Sequence, residues 1–213
     1  MAIVEGRVMK LIDLTHAFTA VMPVYPGDPA SELKPIAGFE TDGYVDYRMT
    51  TGMHVGTHID GPFHMVPGGK KLADFPLEKF FGRGILIDAR GKKSLDEELL
   101  ATARIRQGDI VLFHTGLDRR FREPDYFETF PEVSEKLAER LAALGVKMIG
   151  LDTPSPDRSP YPVHKILLHE EILIIENLTG LEALLGLKSF EVIALPSKFE
   201  ADSAPARVVA RIL

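Results

Sequence analysis

Three of the seven histidines and one aspartate fall within the eleven residues His54-Val55-Gly56-Thr57-His58-Ile59-Asp60-Gly61-Pro62-Phe63-His64. Neutral imidazole and carboxylate are ligands that divalent zinc or manganese accepts, and a catalytic site needs about three of them plus an open position for water. In an extended chain alternate side chains share a face. His54, His58, Asp60 and His64 then point one way, while Val55, Thr57, Ile59 and Phe63 form an apolar anchor on the other. A helix would also put His54 and His58 on one face, but Gly56, the β-branched neighbours, Gly61 and Pro62 oppose it. Same-side residues of a strand stand ~6.7 Å apart, too far for short side chains to share an ion. A bend at Gly56, which has no Cβ to obstruct the backbone, brings the imidazole arms together. A single histidine would read as a satisfied polar residue at a sheet edge. Three on one face, with an aspartate and no basic neighbour, read as a metal site.

A second group lies further along. Glu176 closes the apolar run 172–175, where a carboxylate is costly unless paired or metal-bound. Spacing alone leaves two readings open. Glu176 is either a distant ligand, with His164 presented from a short helix before the strand, or a strand-end carboxylate facing water.

Positioning these groups requires strands. Short β-rich runs occur at 11–14, 44–50, 84–88, 109–113, 146–151, 172–175, 192–195 and 207–212. One helix is expected over 131–144, with Val133, Leu137, Leu141 and Leu144 on one stripe and Gly145 as its C-terminal stop. Shorter helices are expected at 95–103 and 181–185. Three prolines and a glycine make 22–29 a loop. Strands alternating with few helices indicate a strand-rich α/β class.

The 213 residues, 45% apolar and 26% charged, fit one soluble domain over 1–213, with 1–8 as an extension. No apolar run approaches the ~18–20 residues of a membrane span, and no secretory leader is recognised at the start. Thirty-one acidic against 25 basic side chains give a formal net charge of −6, which lacks the basic field that holds nucleic acid. The absence of cysteine excludes thiolate chemistry, leaves only nitrogen and oxygen ligands for a metal, and fits the cytoplasm.

His54-x-Gly56-Thr57-His58-x-Asp60-x-Pro62-x-His64 resembles the signature of the cyclase/kynurenine formamidase family of metal-dependent hydrolases. Further similarity lies in Asp13-Leu14-Thr15-His16, Pro23 to Asp28, Gly150 to Ser155, Glu176-Asn177-Leu178, and the tail from Leu195-Pro196 to Arg207. The resemblance implies a swivelling β/β/α domain, a homodimer or larger homo-oligomer, and hydrolysis of a small amide. It implies two divalent ions per subunit, zinc first and manganese as the alternative. His54, His58 and Asp60 would hold one ion; Asp60, bridging, with His164 and Glu176 would hold the other, the twelve-residue gap between the last two matching the family's spacing. His64 would be the general acid/base. Tyr25 stands where the formamidases place a substrate-contacting tryptophan, and the chain has no tryptophan.

Arylformamidase action on N-formylkynurenine is therefore the first expectation, and ring opening of isatin or another cyclic amide the second. A non-catalytic metal-binding member of the family is the rival of another class. The other groups receive plainer readings: His16 as a turn cap, His114 as structural, His169 as solvated, Asp152 and Asp157 as turn formers beside prolines. The charged stretch 118–123 reads as an exposed loop, with a substrate carboxylate site there as the alternative.

Overall fold

Alternation of apolar side chains along short strands builds a sheet that buries both of its faces. The computed structural model describes residues 10–213, and ahead of them only that the backbone of Ile3–Val4 pairs antiparallel with Arg7–Val8; the expected extension at 1–8 otherwise lies outside the described residues. The principal strands are β1 (Leu11–Asp13), β2 (Glu32–Ala37), β3 (Asp46–Thr50), β4 (His58–Asp60), β5 (Phe81–Asp88) and β6 (Ile110–His114). They continue with β7 (Met148–Leu151), β8 (Leu173–Glu176), β9 (Phe190–Pro196) and β10 (Ser203–Ile212). The sheet runs β9-β5-β6-β7-β8-β4-β10-β1, and a further β9–β10 pairing closes it into a mixed barrel with β1 outside the ring. β5 to β8 are mutually parallel, and the remaining pairings of the sheet are antiparallel.

Ile110, Leu112, Met148, Leu173 and Ile175 join Ile59, Val192 and Val208 in one core. Their neighbours Val111, Phe113, Ile149, Leu151 and Ile174 pack on the other face. There they meet Leu137, Ala138 and Leu141 of α1 (Glu135–Ala143) and Val163, Leu167 and Leu168 of α2 (Pro162–His169). The side chain of Ser134 caps α1 by accepting from Leu137 N–H at 3.3 Å, and Gly145 follows its last turn at φ 66°. The helix expected over 131–144 is thus found with its glycine stop but begins only at Glu135, because Glu132–Val133 is drawn into strand pairing with Ser94–Leu95 and Val133 leaves the stripe.

The local expectations fail where runs are short. Residues 95–103 form no α-helix: Ser94–Leu95 pairs parallel with Glu132–Val133, and a single 3₁₀ turn spans Glu97–Leu100. Residues 181–185 likewise give only the 3₁₀ turn Leu181–Leu184. Segments this short cannot offset helix nucleation without a packed face. β2 was not expected because Pro35 interrupts its pattern; among the described residues it pairs only with β3, leaving an edge where proline is tolerated. β10 begins four residues earlier than its apolar run because Ser203, Ala204 and Pro205 pair with β4.

The segment 54–64 also departs from a continuous extended chain. Only His58–Asp60 is strand; the chain turns before it, and Pro62–His64 forms a 3₁₀ turn. Gly56 supplies the expected bend at φ 68°, and a Cβ there would lie 2.8 Å from Met22 Cε. Val55 and Ile59 are buried as anchors, but Phe63 is 45% exposed, because the turn at Pro62 rotates it off the strand's face.

Candidate metal centre

β4 lies between β8 and β10, and its register places Glu176 opposite His58 and Ser203 opposite Asp60. Ile59 enters the core, so His58 and Asp60 project to the same side as Glu176. Helix α2 presents His164 from its first turn onto this face. The Gly56 bend swings His54 back over it, and the Pro62 turn returns His64. His54, Asp60, His164, Glu176 and His64 thus line one cleft with Tyr25, Asp28, Phe127, Tyr161 and Asn177, and the fifth expected ligand, His58, lies buried against Asp60 and Glu176.

Around Asp60 the distances divide in two. Its Oδ1 lies 2.9 Å from His54 Nδ1 and 3.3 Å from His58 Nε2, and its Oδ2 lies 3.7 Å from His164 Nε2. Glu176 closes the ring, with Oε2 3.2 Å from His58 Nε2 and Oε1 3.4 Å from His164 Nε2. These are ion-pair distances without hydrogen-bond direction: His58 Nε2 and both Asp60 oxygens are buried and have no hydrogen-bond partner. Buried polar atoms normally find partners, and lone pairs that converge without bonding one another fit a cation between them. Ligand atoms of His54, His58 and Asp60 lie within 4.8 Å of one another, as do those of Asp60, His64 and His164.

The outer nitrogens are all held. His54 Nε2 lies 2.8 Å from Asp202 Oδ2 and 3.1 Å from Ser203 Oγ. His58 Nδ1 lies 2.8 Å from the Gly56 carbonyl, and His164 Nδ1 lies 2.5 Å from Asp157 Oδ1. His64 Nδ1 shares Asp202 Oδ2 at 3.2 Å. An acceptor on one ring nitrogen fixes the tautomer and aims the other nitrogen's lone pair, which is how metal-binding histidines are oriented.

Electrostatics follow from the packed carboxylates. Burial opposes charge on His54, but the Asp60 carboxylate and the bond to Asp202 outweigh it and push its pKa up to about 11. For His58 burial again opposes, and Asp60 and Glu176 raise the pKa to about 9. Burial would raise Asp60, yet the neighbouring His54 and His58 hold it well below the usual carboxylate range. His64 differs: burial dominates and lowers its pKa, leaving a neutral ring at neutral pH.

Several residues were missed or misread from sequence. Asp157 and Asp152 are buried acceptors rather than turn formers: Asp157 holds His164 and the Val163 amide, and Asp152 takes Thr115 and Gly116 amides and His114 Nδ1. Asp202 carried no signal, because its partners lie 138 and 148 residues away. His16 caps no turn; its ring stacks on Phe121 at 3.9 Å and its amide donates to Thr57 Oγ1. Stretch 118–123 buries Phe121, and its arginines are committed elsewhere: Arg119 to Glu182, Arg120 to Asp125, and Arg122 to the Val21 carbonyl. His114 is buried and His169 exposed, as expected.

The model of the family described as "Putative cyclase" matches residues 12–158. The chain belongs to this cyclase family. Within it, the chain is 34% identical over 211 residues to the kynurenine formamidase of Delftia acidovorans, covering 96% of this chain and 98% of that one. Its structure is similar to "The Structure Of Potential Metal-Dependent Hydrolase With Cyclase Activity", at 32% identity and TM-score 0.79, with 97% and 99% of the two chains covered. It shares the fold of isatin hydrolase A from Labrenzia aggregata at 23% identity and TM-score 0.83, with 96% and 94% covered. The cyclase-family fold thus agrees with the strand-rich α/β class expected from sequence. Among the described residues no helix is long and apolar enough to cross a membrane.

Proposed function

We propose that this cyclase-family chain is a metal-dependent hydrolase of a small amide, arylformamidase-like, releasing formate from N-formylkynurenine or a related aryl formamide. The observation that carries this reading is the orientation of the imidazoles, each with one nitrogen held from behind and the other turned to Asp60 and Glu176. His54, His58 and Asp60 would hold one divalent ion, and Asp60, His164 and Glu176 would hold a second. Zinc is the first choice and manganese the alternative, since nitrogen and oxygen ligands accept both. The working unit is a cytoplasmic homodimer or larger homo-oligomer.

Metal bound there supplies an acidified water and polarises the amide carbonyl. The remaining work belongs to the chain. His64, neutral and steadied through Nδ1 by Asp202, takes a proton at Nε2 and returns it to the departing nitrogen. Protonation matters because an aniline-type nitrogen leaves poorly as an anion. Tyr25, set edge-on to Phe127 with ring centroids 5.7 Å apart, offers an aromatic wall for a flat substrate.

A second reading, ring opening of an uncharged lactam such as isatin, is favoured by the cleft's charge. Among the described residues no lysine or arginine lines it, and Asp28 adds a negative group, so nothing there pairs a substrate carboxylate. The test is turnover of N-formylkynurenine and isatin by protein stripped of metal and reloaded with zinc or manganese. Metal-dependent release of formate supports the arylformamidase reading, and turnover of isatin alone transfers the assignment to lactams. Turnover of neither by fully loaded protein sinks both.

A further inference from the structure

Asn177, one residue beyond Glu176, combines three features that a simple turn does not require. Its backbone is at φ 55°, in the left-handed region that asparagine visits at a cost and glycine occupies freely. The residue lines the cleft although it is only 3% exposed. All of its other polar groups are engaged. The amide N–H donates to Thr153 O at 3.0 Å, the carbonyl accepts from Thr57 Oγ1 at 2.5 Å, and Oδ1 accepts from Tyr126 O–H at 2.9 Å.

The side-chain NH₂ is the remainder. It carries two donors, and no acceptor for it occurs among the described residues. The sense of the amide is set by the Tyr126 hydroxyl, which lies 2.9 Å from Oδ1 and 3.4 Å from its alternative acceptor, the Asp152 carbonyl. That tyrosine is fully buried, with its ring edge-on to Phe121 at 5.4 Å and Phe127 at 5.1 Å, so its hydroxyl cannot follow a rotating partner. With Oδ1 bound to the hydroxyl, Nδ2 faces the cleft. A glycine would satisfy the turn without strain; what asparagine adds is a rigid, uncharged N–H donor beside the metal cluster. Backbone strain and an unspent donor at a cleft wall, combined in one residue, are features that gather where a ligand is bound.

We infer that Asn177 is a catalytic residue whose Nδ2–H donates to the carbonyl oxygen of the substrate amide, and that Tyr126 is the positioning residue that aims it. The donor is worth most when that oxygen gains negative charge, because it is already oriented and needs no reorganisation. A neutral amide also avoids adding charge next to Glu176. The inference rests on the amide-hydrolase reading of the cleft, and its test separates the two.

Full-length metal-loaded wild type, Asn177→Gly, Tyr126→Phe and the double variant are compared in three ways. The readouts are metal content, kcat and KM on formanilide, and binding of oxindole, an unreactive lactam, followed by the infrared stretch of its carbonyl. Glycine is the chosen replacement because it keeps φ 55° without strain. The expected result is unchanged metal content, a fall in kcat of about 10²-fold for Asn177→Gly with KM little changed, and a smaller fall for Tyr126→Phe. The double variant should be no worse than Asn177→Gly, since Tyr126 acts only through the amide. The carbonyl stretch of bound oxindole should move to higher frequency when the donor is removed. Equal kcat and an unmoved stretch in Asn177→Gly would overturn the assignment, as would additive losses in the double variant or failure of oxindole to bind the loaded wild type. Wild type inactive on formanilide counts against the hydrolase reading, and the stretch alone then decides for or against Asn177. Should Asn177→Gly not fold, Tyr126→Phe decides: the same kcat and stretch as wild type overturn the inference.

Discussion

Asp157 Oδ1 lies 2.5 Å from His164 Nδ1, while its other oxygen accepts the Val163 amide at 2.7 Å. One buried carboxylate thereby holds the start of α2 and turns His164 Nε2 toward Asp60 and Glu176. Replacing it frees the imidazole without touching a ligand. Asp157→Ala should weaken metal binding by about 10- to 100-fold, as read by competition with a chelator. Unchanged affinity would show that α2 alone positions His164.

His64 and Asp60 should separate in their effects. His64→Ala is expected to keep the metal content of the wild type and to lose turnover by ~10²-fold or more. Asp60→Ala should lose metal and turnover together, because its two oxygens face both groups of imidazoles. Elemental analysis beside the rate measurement distinguishes them. His64 lies within the 4.8 Å cluster of Asp60 and His164, so an emptied site in His64→Ala would make it a ligand instead.

The metal-free protein should show a pH dependence that the loaded protein lacks. His54 and His58 have pKa values raised from 6.5 to about 11 and about 9, so between those values the folded state binds more protons than the unfolded chain. Stability then falls as pH rises. The contribution is complete below about pH 6.5 and is lost as pH climbs through 9 toward 11. Denaturant titrations of chelated protein from pH 6 to 11 measure it; a flat profile refutes the ion pairing. Metal uptake at pH 7 should also release protons, visible in calorimetry as a heat that varies with the buffer.

Gly56 carries the bend that returns His54 to the cluster. Alanine there meets φ 68° and places its Cβ 2.8 Å from Met22 Cε. Gly56→Ala should cost about 1–2 kcal/mol from the left-handed backbone alone, lowering the melting temperature by several degrees, and should weaken metal binding as well. Adding Met22→Ala should relieve the contact but not the backbone strain, giving partial recovery of the melting temperature. Full recovery would place the whole cost in the contact.

Read from residue types and spacing alone, the stretch 54–64 showed its cluster of nitrogen and oxygen donors and the place of its bend. Alternation put His58 and Asp60 on one face with Ile59 on the other, because a strand has a period of two whatever it packs against. Gly56 marked the bend, since few other residues accept its φ. The long helix was legible from its stripe and its glycine stop, and most barrel strands from their apolar runs. His164 and Glu176 were ambiguous by spacing and were named as ligands through the family resemblance.

The remaining features arise from packing between distant parts of the chain. Closure of the sheet by β9 and β10 depends on hydrogen bonds between strands that carry no pairing code in their residues. That closure sets β10 beside β4, so Asp202, at the entry to β10, comes to hold His54 and His64 from across 148 and 138 residues. Asp157, Tyr126 and Asn177 had the same status: polar residues near turns in the chain, but buried partners of the cleft once the elements packed. Ligand types follow local chemistry, which the chain writes out in order. The groups that aim them are chosen by proximity in space, which exists only after folding.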